Sequence, residues 1–395
     1  MANLETTVAG ITFPNPFILA SGPPTNNGTM IKTAFDAGWG GAVLKTVALD
    51  PTPLASPRVH TLRRRRQQLG MVNIELLTDI PIDTWKDDLD RIRQAHPIRP
   101  IIVSVMGGGQ AEEWAEVMHR LEPHGVTAYE LNVSCPNISG KKGAQLGQDP
   151  DSVARVVGWA KAATALPVLV KLTPNVTDIV HIARVAREAG ADAITATNTL
   201  SGLAGIDLEA LTPLPTVKDI GIFGGYSGPG LKPVSLRCAA SIAQAVDVPL
   251  IGCGGIERWQ DVAEYISVGC SAVQMCTAPM WHGFSLVDKL SRGLESYLES
   301  HGYASPMGLR GQALANLVGY DNLDMSQKLL AHVDTEACTG CGLCVPACDS
   351  GAYQAIVMQD KLAVILPDKC DGCGLCVGVC PTNAISMGKR PTRTV

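Results

Sequence analysis

Short apolar runs recur along the first 300 residues, and each ends in polar residues or glycine. They read FILA, GAVLKT, IIVSVMG, YELNVS, PVLVKL, AITATN, PLIGCGG and AVQMCTA. Runs of this kind predict strands that are buried on both faces. The stretches between them have helical character, most clearly at 84–94, 111–121, 151–163 and 178–189. Regular alternation of strands and helices predicts a parallel sheet in an α/β protein.

About eight such units predict a closed (β/α)8 TIM barrel. An open, doubly wound sheet uses the same alternation and is the minor alternative. In a barrel the C-terminal strand ends carry the chemistry. The polar or glycine residues at these ends are Lys45, Asn132, Ser134, Cys135, Lys171, Asn198, Thr199 and Gly254. Because they are spread over most of the strands, they favour closure of the sheet.

Eight of the thirteen cysteines lie in two similar halves near the C-terminus, which indicates an internal duplication. They are Cys338, Cys341, Cys344 and Cys348, then Cys370, Cys373, Cys376 and Cys380. This spacing is typical of a ferredoxin-like domain with two 4Fe–4S clusters, in which the fourth cysteine of each half binds the other half's cluster. Tetrahedral zinc also accepts four thiolates and is the alternative, which the cysteine triplets make less favourable.

Composition and charge narrow the class of protein. Hydrophobic residues make up 46% and charged residues 17% of the chain, which favours a well-buried globular protein. The net charge of -5 argues against a nucleic-acid partner. No apolar run reaches membrane-spanning length, so we expect no membrane partner and a cytoplasmic location. The predicted domains are a barrel over 1–304, a connecting segment over 305–332, a ferredoxin-like domain over 333–388 and a basic tail over 389–395.

The stretch ELNVSCPN at 130–137 resembles the active-site signature of the dihydroorotate and dihydropyrimidine dehydrogenases. Other blocks favour the dihydropyrimidine dehydrogenases: AGWGGAVLKTVALD around Lys45, SPRV at 56–59, VNIEL at 72–76, KLTPNVTDI at 171–179 and TATNTLSG at 195–202. With the cysteine-rich halves, the resemblance covers almost the whole chain. It is strongest to the pyrimidine-reducing FMN and iron–sulfur subunits of bacterial NAD-dependent dihydropyrimidine dehydrogenases.

This resemblance implies FMN in the barrel. The cofactor-binding residues it implies are Ala20, Ser21, Lys45, Thr46, Lys171, Ser227, Gly228, Gly254, Gly255, Cys276 and Thr277. Glycines in IGCGGI, followed by QMCTA, resemble the phosphate-binding loops of the last two barrel strands. Lys45 and Lys171 would stabilise negative charge on the reduced flavin ring. The alternative for each lysine is an ordinary ion pair with a carboxylate.

The resemblance also implies the substrate site. Its expected members are Asn73, Glu75, Asn132, Ser134, Asn198 and Thr199. An asparagine amide both donates and accepts, so it matches the alternating edge of a pyrimidine ring. Turn-forming asparagines are the alternative. Glu75 would in addition repel the carboxylate of orotate.

Cys135 is the implied proton donor, since a thiol is protonated at neutral pH. Hydride would pass from the flavin to carbon 6 of the pyrimidine while the Cys135 thiol protonates carbon 5. The remaining barrel cysteines are interpreted as ordinary buried residues. They are Cys238, Cys253, Cys270 and Cys276.

Two stretches differ from the dihydropyrimidine pattern. The loop after Cys135, PNISGKKGAQLGQDP, is more similar to the dihydroorotate group and bears on which ring is accepted. Four arginines, Arg63–Arg66, predict a solvated loop face, with a docking patch for an acidic partner as the alternative.

The chain has no strand–GxGxxG–helix motif for a dinucleotide. The resemblance therefore implies a separate FAD-containing, NAD(P)H-oxidising subunit that feeds the clusters, in an assembly with a homodimer core or a heterotetramer.

The expected function is reduction of the 5,6 double bond of uracil or thymine. A dihydroorotate dehydrogenase-like enzyme or a reductase of another cyclic amide is the near alternative. A non-catalytic electron-transfer subunit, with the barrel as a scaffold, is the alternative of another class.

Overall fold

The computed structural model describes residues 2–134, 144–351 and 353–389. The chain forms two compact units, Met1–Leu317 and Val318–Val395. The predicted connecting segment spans this division. Its first part belongs to the first unit, where the helix Pro306–Leu309 is followed by a hydrogen bond from the Gly311 N–H to the Ile266 carbonyl at 3.0 Å.

The first unit contains a closed barrel of eight parallel strands. In chain order, β1 to β8 are Phe17–Leu19, Gly41–Val43, Ile101–Val105, Ala128–Asn132, Val168–Leu172, Ala193–Ala196, Leu250–Cys253 and Ala272–Met275. Each predicted apolar run overlaps one of these strands. The predicted barrel is confirmed, and the open sheet is wrong because β8 pairs with β1.

A helix follows each strand. In chain order, α1 to α8 are Gly28–Asp36, Ile82–Ala95, Ala111–Leu121, Pro150–Ala163, Ile179–Glu188, Lys232–Ala245, Trp259–Ser267 and Leu286–Ser300. Helix α5 illustrates why they form: its buried residues, Ile179, Ile182, Ala183 and Ala186, share one face. The Asp178 carboxylate caps its first turn by accepting the His181 N–H at 3.0 Å.

The base of the barrel interior is apolar. Its residues are Ile18, Val43, Ile102, Ala128, Leu169, Ala193, Ile251 and Ala272, one from each strand. A hairpin formed by Thr6–Val8 and Ile11–Phe13 packs Val8, Ile11 and Phe13 against this layer. The lower end of the barrel is therefore a sealed core, and chemistry is left to the upper end.

A four-stranded antiparallel sheet forms within the loops at the upper end. Its strands, in spatial order, are Leu200–Gly202, Gly224–Ser227, Gln67–Asn73 and Val59–Arg64. The two strands Val59–Arg64 and Gln67–Asn73 form a hairpin whose tip is the exposed stretch Arg63–Arg66. A further short pair joins Ile206–Asp207 to Thr212–Pro213.

The second unit is built from two similar halves. Strand Leu329–Val333 pairs with Ile385–Lys389, and Ile356–Gln359 pairs with Leu362–Ile365. The short helices are Cys344–Ser350 and Leu375–Val379. Lys389, the first residue of the predicted basic tail, thus ends a strand, and 390–395 lie outside the described residues.

Short helical segments complete the described chain. They are Pro23–Thr25, Glu122–His124, Ala144–Gln148, Pro229–Leu231, Thr277–His282, Leu314–Asn316 and Tyr320–Asn322. Within the described ranges, every helix is too short or too polar to cross a membrane.

Candidate active site

A polar layer lies directly above the apolar base of the barrel. Side chains two residues apart on a strand point to the same face. The residue two positions after each apolar base residue therefore also points into the barrel. These residues are Ala20, Lys45, Ser104, Glu130, Lys171, Thr195, Cys253 and Gln274. Above them a cavity of about 1080 Å³ opens at the C-terminal ends of the strands. The buried charged residues therefore lie at the C-terminal ends of the strands, where TIM-barrel enzymes have their active sites.

Lys45 and Lys171 both line this cavity and are both buried. Lys45 forms an ion pair with Glu75, whose other carboxylate oxygen accepts from Arg58 Nε at 2.5 Å. Lys171 donates to Gln274 Oε1 at 3.1 Å and lies 3.8 Å from Glu130 Oε1. Each lysine is thus a buried cation at the cavity, and a carboxylate, Glu75 for Lys45 and Glu130 for Lys171, offsets the cost of burying it.

The predicted substrate residues Asn73, Glu75, Asn132, Asn198 and Thr199 all line the same cavity. Asn132 donates to Thr46 Oγ1 at 2.9 Å, and Asn73 donates to the Gly225 carbonyl at 3.0 Å. The side-chain Oδ1 of Asn198 accepts the Thr199 N–H at 2.7 Å. The three amides are therefore held in place by the protein at the cavity wall, and each has a second N–H and a second oxygen lone pair with which it could contact a ligand.

Ser134 lies behind this wall rather than on it. Its side chain is completely buried, and its hydroxyl oxygen accepts from Asn198 Nδ2 at 2.7 Å. The predicted role of Ser134 in substrate binding is therefore indirect in this geometry, through the orientation of Asn198. Cys135, the predicted proton donor, lies outside the described residues, as does the loop that follows it through 143.

The opposite end of the cavity is lined by backbone. Gly254 and Gly255 have φ of +125° and +72°, which side chains of L-residues rarely adopt. A Cβ on Gly255 would lie 2.4 Å from the Lys232 backbone nitrogen. Ser227 and Thr277 face each other here, with their hydroxyl oxygens 2.9 Å apart. This tight, hydroxyl-rich end has the form of the phosphate site that the sequence predicted.

The remaining predicted cofactor residues line the cavity as well. They are Ala20, Ser21, Thr46, Gly228 and Cys276. Cys253, which is buried, and Cys276, which is partly buried, both line the cavity, and desolvation raises the pKa of the Cys276 thiol to about 12 and raises that of Cys253. Cys238 and Cys270 lie instead in the surrounding core. The Cys253 and Cys276 thiols are therefore neutral near neutral pH.

Sequence reasoning missed several polar residues of the site. Arg58, Ser104, Glu130, Thr195, Glu257 and Gln274 were not singled out, although each lines the cavity or contacts a residue that does. The alternation of inward residues along the strands is a signal that identifies Ser104, Glu130, Thr195 and Gln274. The pairing of Arg58 with Glu75 has no such signal.

The second unit contains two cavities, each lined by four cysteines. One, of about 320 Å³, is lined by Cys338, Cys341, Cys344 and Cys380. The other, of about 350 Å³, is lined by Cys370, Cys373, Cys376 and Cys348. Three cysteines of one half thus meet the fourth cysteine of the other half, which is the crossed arrangement of two-cluster ferredoxins. A structural zinc site would instead close its four sulfurs at about 2.3 Å from one ion.

The duplication extends to the hydrogen bonds of the fourth cysteines. Cys348 Sγ accepts the Ala355 N–H at 3.3 Å, and Cys380 Sγ accepts the Ala384 N–H at 3.2 Å. Cys380 Sγ also lies 3.7 Å from Thr382 Oγ1. These N–H groups are hydrogen-bond donors of the kind that orient the sulfur ligands of a cluster.

A family model, that of dihydroorotate dehydrogenase, matches residues 3–298. The chain belongs to the dihydroorotate dehydrogenase family. A second family model, that of the 4Fe–4S dicluster domain, matches residues 331–387. Members of the dihydroorotate dehydrogenase family bind FMN, so the cofactors of this chain are FMN and two 4Fe–4S clusters, as predicted. The cavity with its glycine-lined end and buried lysines fits the flavin, and the two cysteine-lined cavities fit the clusters.

The chain is similar to two kinds of curated enzyme within this family. It is 34% identical over 364 residues to NAD-dependent dihydropyrimidine dehydrogenase subunit PreA of Escherichia coli strain K12, covering 91% of this chain and 88% of the relative. It is 37% identical over 342 residues to the chloroplastic dihydropyrimidine dehydrogenase (NADP(+)) of Arabidopsis thaliana, covering 82% and 80%. It is 40% identical over 305 residues to the catalytic subunit of dihydroorotate dehydrogenase B (NAD(+)) of Pyrococcus furiosus, covering 77% and 96%.

These similarities confirm the predicted enzyme class. The chain is a dihydropyrimidine dehydrogenase-like flavin and iron–sulfur oxidoreductase that acts on CH–CH groups. The alternative of a non-catalytic electron-transfer subunit is thereby set aside.

Proposed function

We propose that this enzyme reduces the 5,6 double bond of uracil or thymine. The observation that carries the proposal is the wall formed by Asn73, Asn132 and Asn198 around a charge-compensated centre. Three amides offer donors and acceptors to the N–H and C=O groups of a neutral ring. Glu75, which pairs with Lys45 and Arg58, places a carboxylate at this wall, and that carboxylate would repel an anionic ring but not a neutral one.

The residues proposed to hold FMN are those at the two ends of the cavity. Gly254, Gly255, Ser227 and Thr277 would contact the phosphate through backbone N–H groups and hydroxyls. Lys45 and Lys171 would stand near the ring and favour its reduced form. Bound FMN supplies the hydride for the reaction.

Cys135 is proposed as the acid. Its thiol would protonate carbon 5 of the pyrimidine as carbon 6 receives hydride, which saturates the double bond. The residue before it, Ser134, anchors Asn198, so the same short stretch would orient the ring and deliver the proton. Residues 134 and 135 would thus hold the ring in position and supply its proton from adjacent places in the chain.

Electrons are proposed to reach the flavin through the two clusters from a separate FAD-containing subunit that oxidises NAD(P)H. The absence of a GxGxxG motif from the sequence supports a separate subunit. We also propose a homodimer core or a heterotetramer, the domain boundaries given above, and the cytoplasm as the location, since thiolate-bound clusters favour a reducing compartment.

The test is substrate-dependent reoxidation of the flavin. The chain is purified without oxygen, its flavin and iron contents are measured, and it is reduced with dithionite before uracil, thymine or orotate is added. We expect reoxidation by uracil or thymine, and a rate at least about a hundredfold lower in Cys135→Ser, because general acid catalysis contributes about 10² to 10⁴. An unchanged flavin spectrum in the variant is the control for an intact site.

Orotate is the second candidate substrate. The 40% identity to a dihydroorotate dehydrogenase B catalytic subunit favours it, and Arg58 is a partly exposed cation at the site that a carboxylate could contact. Reoxidation by orotate alone would replace the uracil proposal with this one. Reoxidation by none of the three would reject both.

A further inference from the structure

A carboxylate is sealed inside the barrel beneath the cavity. Glu130, in the middle of β4, has no exposed surface. Its Oε2 accepts from Thr195 Oγ1 at 2.7 Å and from Gln274 Nε2 at 2.5 Å. Its Oε1 is buried without a hydrogen-bond partner and lies 3.8 Å from Lys171 Nζ. A buried carboxylate costs several kcal/mol unless a cation compensates it, and Lys171 is that cation.

Gln274 joins the two charges. Its amide oxygen accepts from Lys171 Nζ at 3.1 Å, while its amide nitrogen donates to Glu130. The amide in this orientation turns its acceptor toward the ammonium and its donor toward the carboxylate, so it contacts both groups at once. The three side chains therefore form a polar relay across the barrel, from β4 through β8 to β5, and Lys171 is its end at the cavity wall.

Other groups that face Lys171 leave Glu130 as its counter-charge. Cys253 on β7 and Cys276 after β8 are neutral thiols near neutral pH, because burial raises the pKa of each. Lys45 forms its own pair with Glu75. Burial by itself lowers the pKa of Lys171, yet the negative charges facing it, Cys253 when ionised and Glu130, leave that pKa raised.

We propose that Glu130 is a positioning residue that, through Gln274, keeps Lys171 charged and directed at the flavin ring, and thereby sets the redox potential of the bound flavin. The inference rests on the proposed contact of Lys171 with FMN. A charge held under a redox group shifts its potential, because it stabilises one oxidation state more than the other.

The expected consequence follows from the sign of the charge. Without Glu130, the buried Lys171 loses its proton, and the negative charge that the flavin gains on reduction loses a nearby cation. In Glu130→Gln we expect the preference of the site for reduced over oxidised flavin to fall about tenfold, which is about 30 mV for a two-electron couple. Acidification should restore the charge, so the difference from the parent should shrink as pH falls.

The experiment is a potentiometric titration of the flavin absorbance in the full FMN-loaded chain. Lys171→Met defines the effect of losing the cation altogether. If Glu130 acts through Lys171, Glu130→Gln in the Lys171→Met background should lower the potential no further. Thr195→Val is the matched control, because it removes one hydrogen bond to Glu130 and keeps the carboxylate, and its flavin preference should stay within about twofold of the parent.

An unchanged or raised potential in Glu130→Gln overturns the proposal, since a raised value would mean that Lys171 keeps its charge without Glu130. If Lys171→Met leaves the flavin potential unchanged, the assignment of Lys171 to the flavin site is rejected. If Glu130→Gln does not fold, Gln274→Met breaks the relay at its centre. A lowered potential in that variant supports the proposal, and an unchanged one overturns it.

Discussion

Lys45 and Glu75 form an ion pair at the upper end of the barrel, with Lys45 buried and Glu75 about 10% exposed, although thirty positions separate them in the chain. Lys45 follows β2, whereas Glu75 follows the strand Gln67–Asn73 of the antiparallel sheet. Arg58, which directly precedes the neighbouring strand Val59–Arg64 of the hairpin, contacts the same carboxylate. The pair therefore links Lys45, proposed to stand near the flavin, to the wall proposed for the substrate.

Replacing Glu75 with Gln should reverse the preference of the site for neutral rings. The variant leaves Lys45 and Arg58 without their shared carboxylate, so the cavity gains net positive charge. We expect orotate to bind about tenfold more tightly and uracil about tenfold more weakly, each about 1.4 kcal/mol. Dissociation constants from the perturbation of the flavin spectrum measure both.

Arg58→Gln is the matched control for this charge argument. It removes a cation while Glu75 and Lys45 keep their pair, so orotate binding should not strengthen. If Glu75→Gln weakens uracil and orotate equally, Glu75 serves only to shape the site and the charge argument is wrong.

Ser134→Ala should impair substrate use without loss of flavin. The Ser134 hydroxyl anchors Asn198 at 2.7 Å, and its removal frees the amide to rotate away from the cavity. We expect kcat/KM for the pyrimidine to fall about tenfold or more, because small misplacements of a binding group are costly. Steady-state kinetics with a measured FMN content test this.

Ser201→Ala provides the comparison, since Ser201 is an exposed serine of the antiparallel sheet at the same end of the barrel. It should leave kcat/KM unchanged. A Ser134→Ala enzyme with parental kinetics would show that Asn198 needs no anchor.

The barrel strands and most of the polar residues at their ends could be predicted from the sequence, because both are visible in short stretches of consecutive residues. Buried parallel strands are continuous apolar runs, and the residues that end them, such as Lys171 and Asn198, are visible in the sequence. The spacing of the cysteines likewise identifies the ligands of each cluster.

Contacts between distant elements could not be predicted in the same way. Gln274 meets Glu130 across 144 positions, and neither lies in a spacing that specifies the other. The four-stranded sheet is a similar case, because the strand Gly224–Ser227 pairs with Gln67–Asn73 although 152 positions separate Gly225 from Asn73. Partners of buried charges are thus a property of the fold rather than of the motif.

Gly255→Ala should lower the affinity for FMN. The new Cβ would lie 2.4 Å from the backbone of Lys232, at a φ of +72° that alanine tolerates poorly. Since backbone cannot move aside cheaply, we expect the proposed phosphate end to be distorted and the Kd of FMN to rise about tenfold or more. Fluorescence titration of the flavin-stripped chain measures it.

Gly158→Ala is the control, because a Cβ on that residue of α4 would meet no atom within 4 Å. Its affinity for FMN should equal that of the parent. If the parent, Gly255→Ala and Gly158→Ala bind FMN equally well, the loop that contains Gly255 does not contact the cofactor.

Asp261→Asn should reduce stability in a pH-dependent way. Asp261 accepts the N–H groups of Glu257 and Arg258, both at 2.9 Å, and pairs with Lys232 at 2.7 Å. Burial opposes its charge, but Lys232 and these N–H groups outweigh burial and lower the pKa of Asp261 below its ordinary value of 3.8. Its stabilisation is therefore complete above about pH 3.8 and is lost as pH falls below that value.

We expect the variant to lose about 1–3 kcal/mol of unfolding free energy at neutral pH. The loss should shrink below pH 3.8, where the parent also loses the charge. Thermal unfolding across pH measures the difference, and Asp288→Asn, at an exposed carboxylate of α8, should change stability by no more than about 0.5 kcal/mol. A loss that does not vary with pH would mean that the charge of Asp261 is unimportant.

The crossed cysteine sets predict which double substitutions remove one cluster and which remove two. Cys348 shares a cavity with Cys376, whereas Cys344 lies with Cys380 in the other. Cys348→Ala together with Cys376→Ala should therefore leave about half of the iron and one cluster signal, because both changes strike one cluster. Cys348→Ala with Cys344→Ala, two changes within one half of the sequence, should abolish both signals. Iron analysis and electron paramagnetic resonance of the reduced protein decide between them, and the reverse result would mean that each half binds its own cluster.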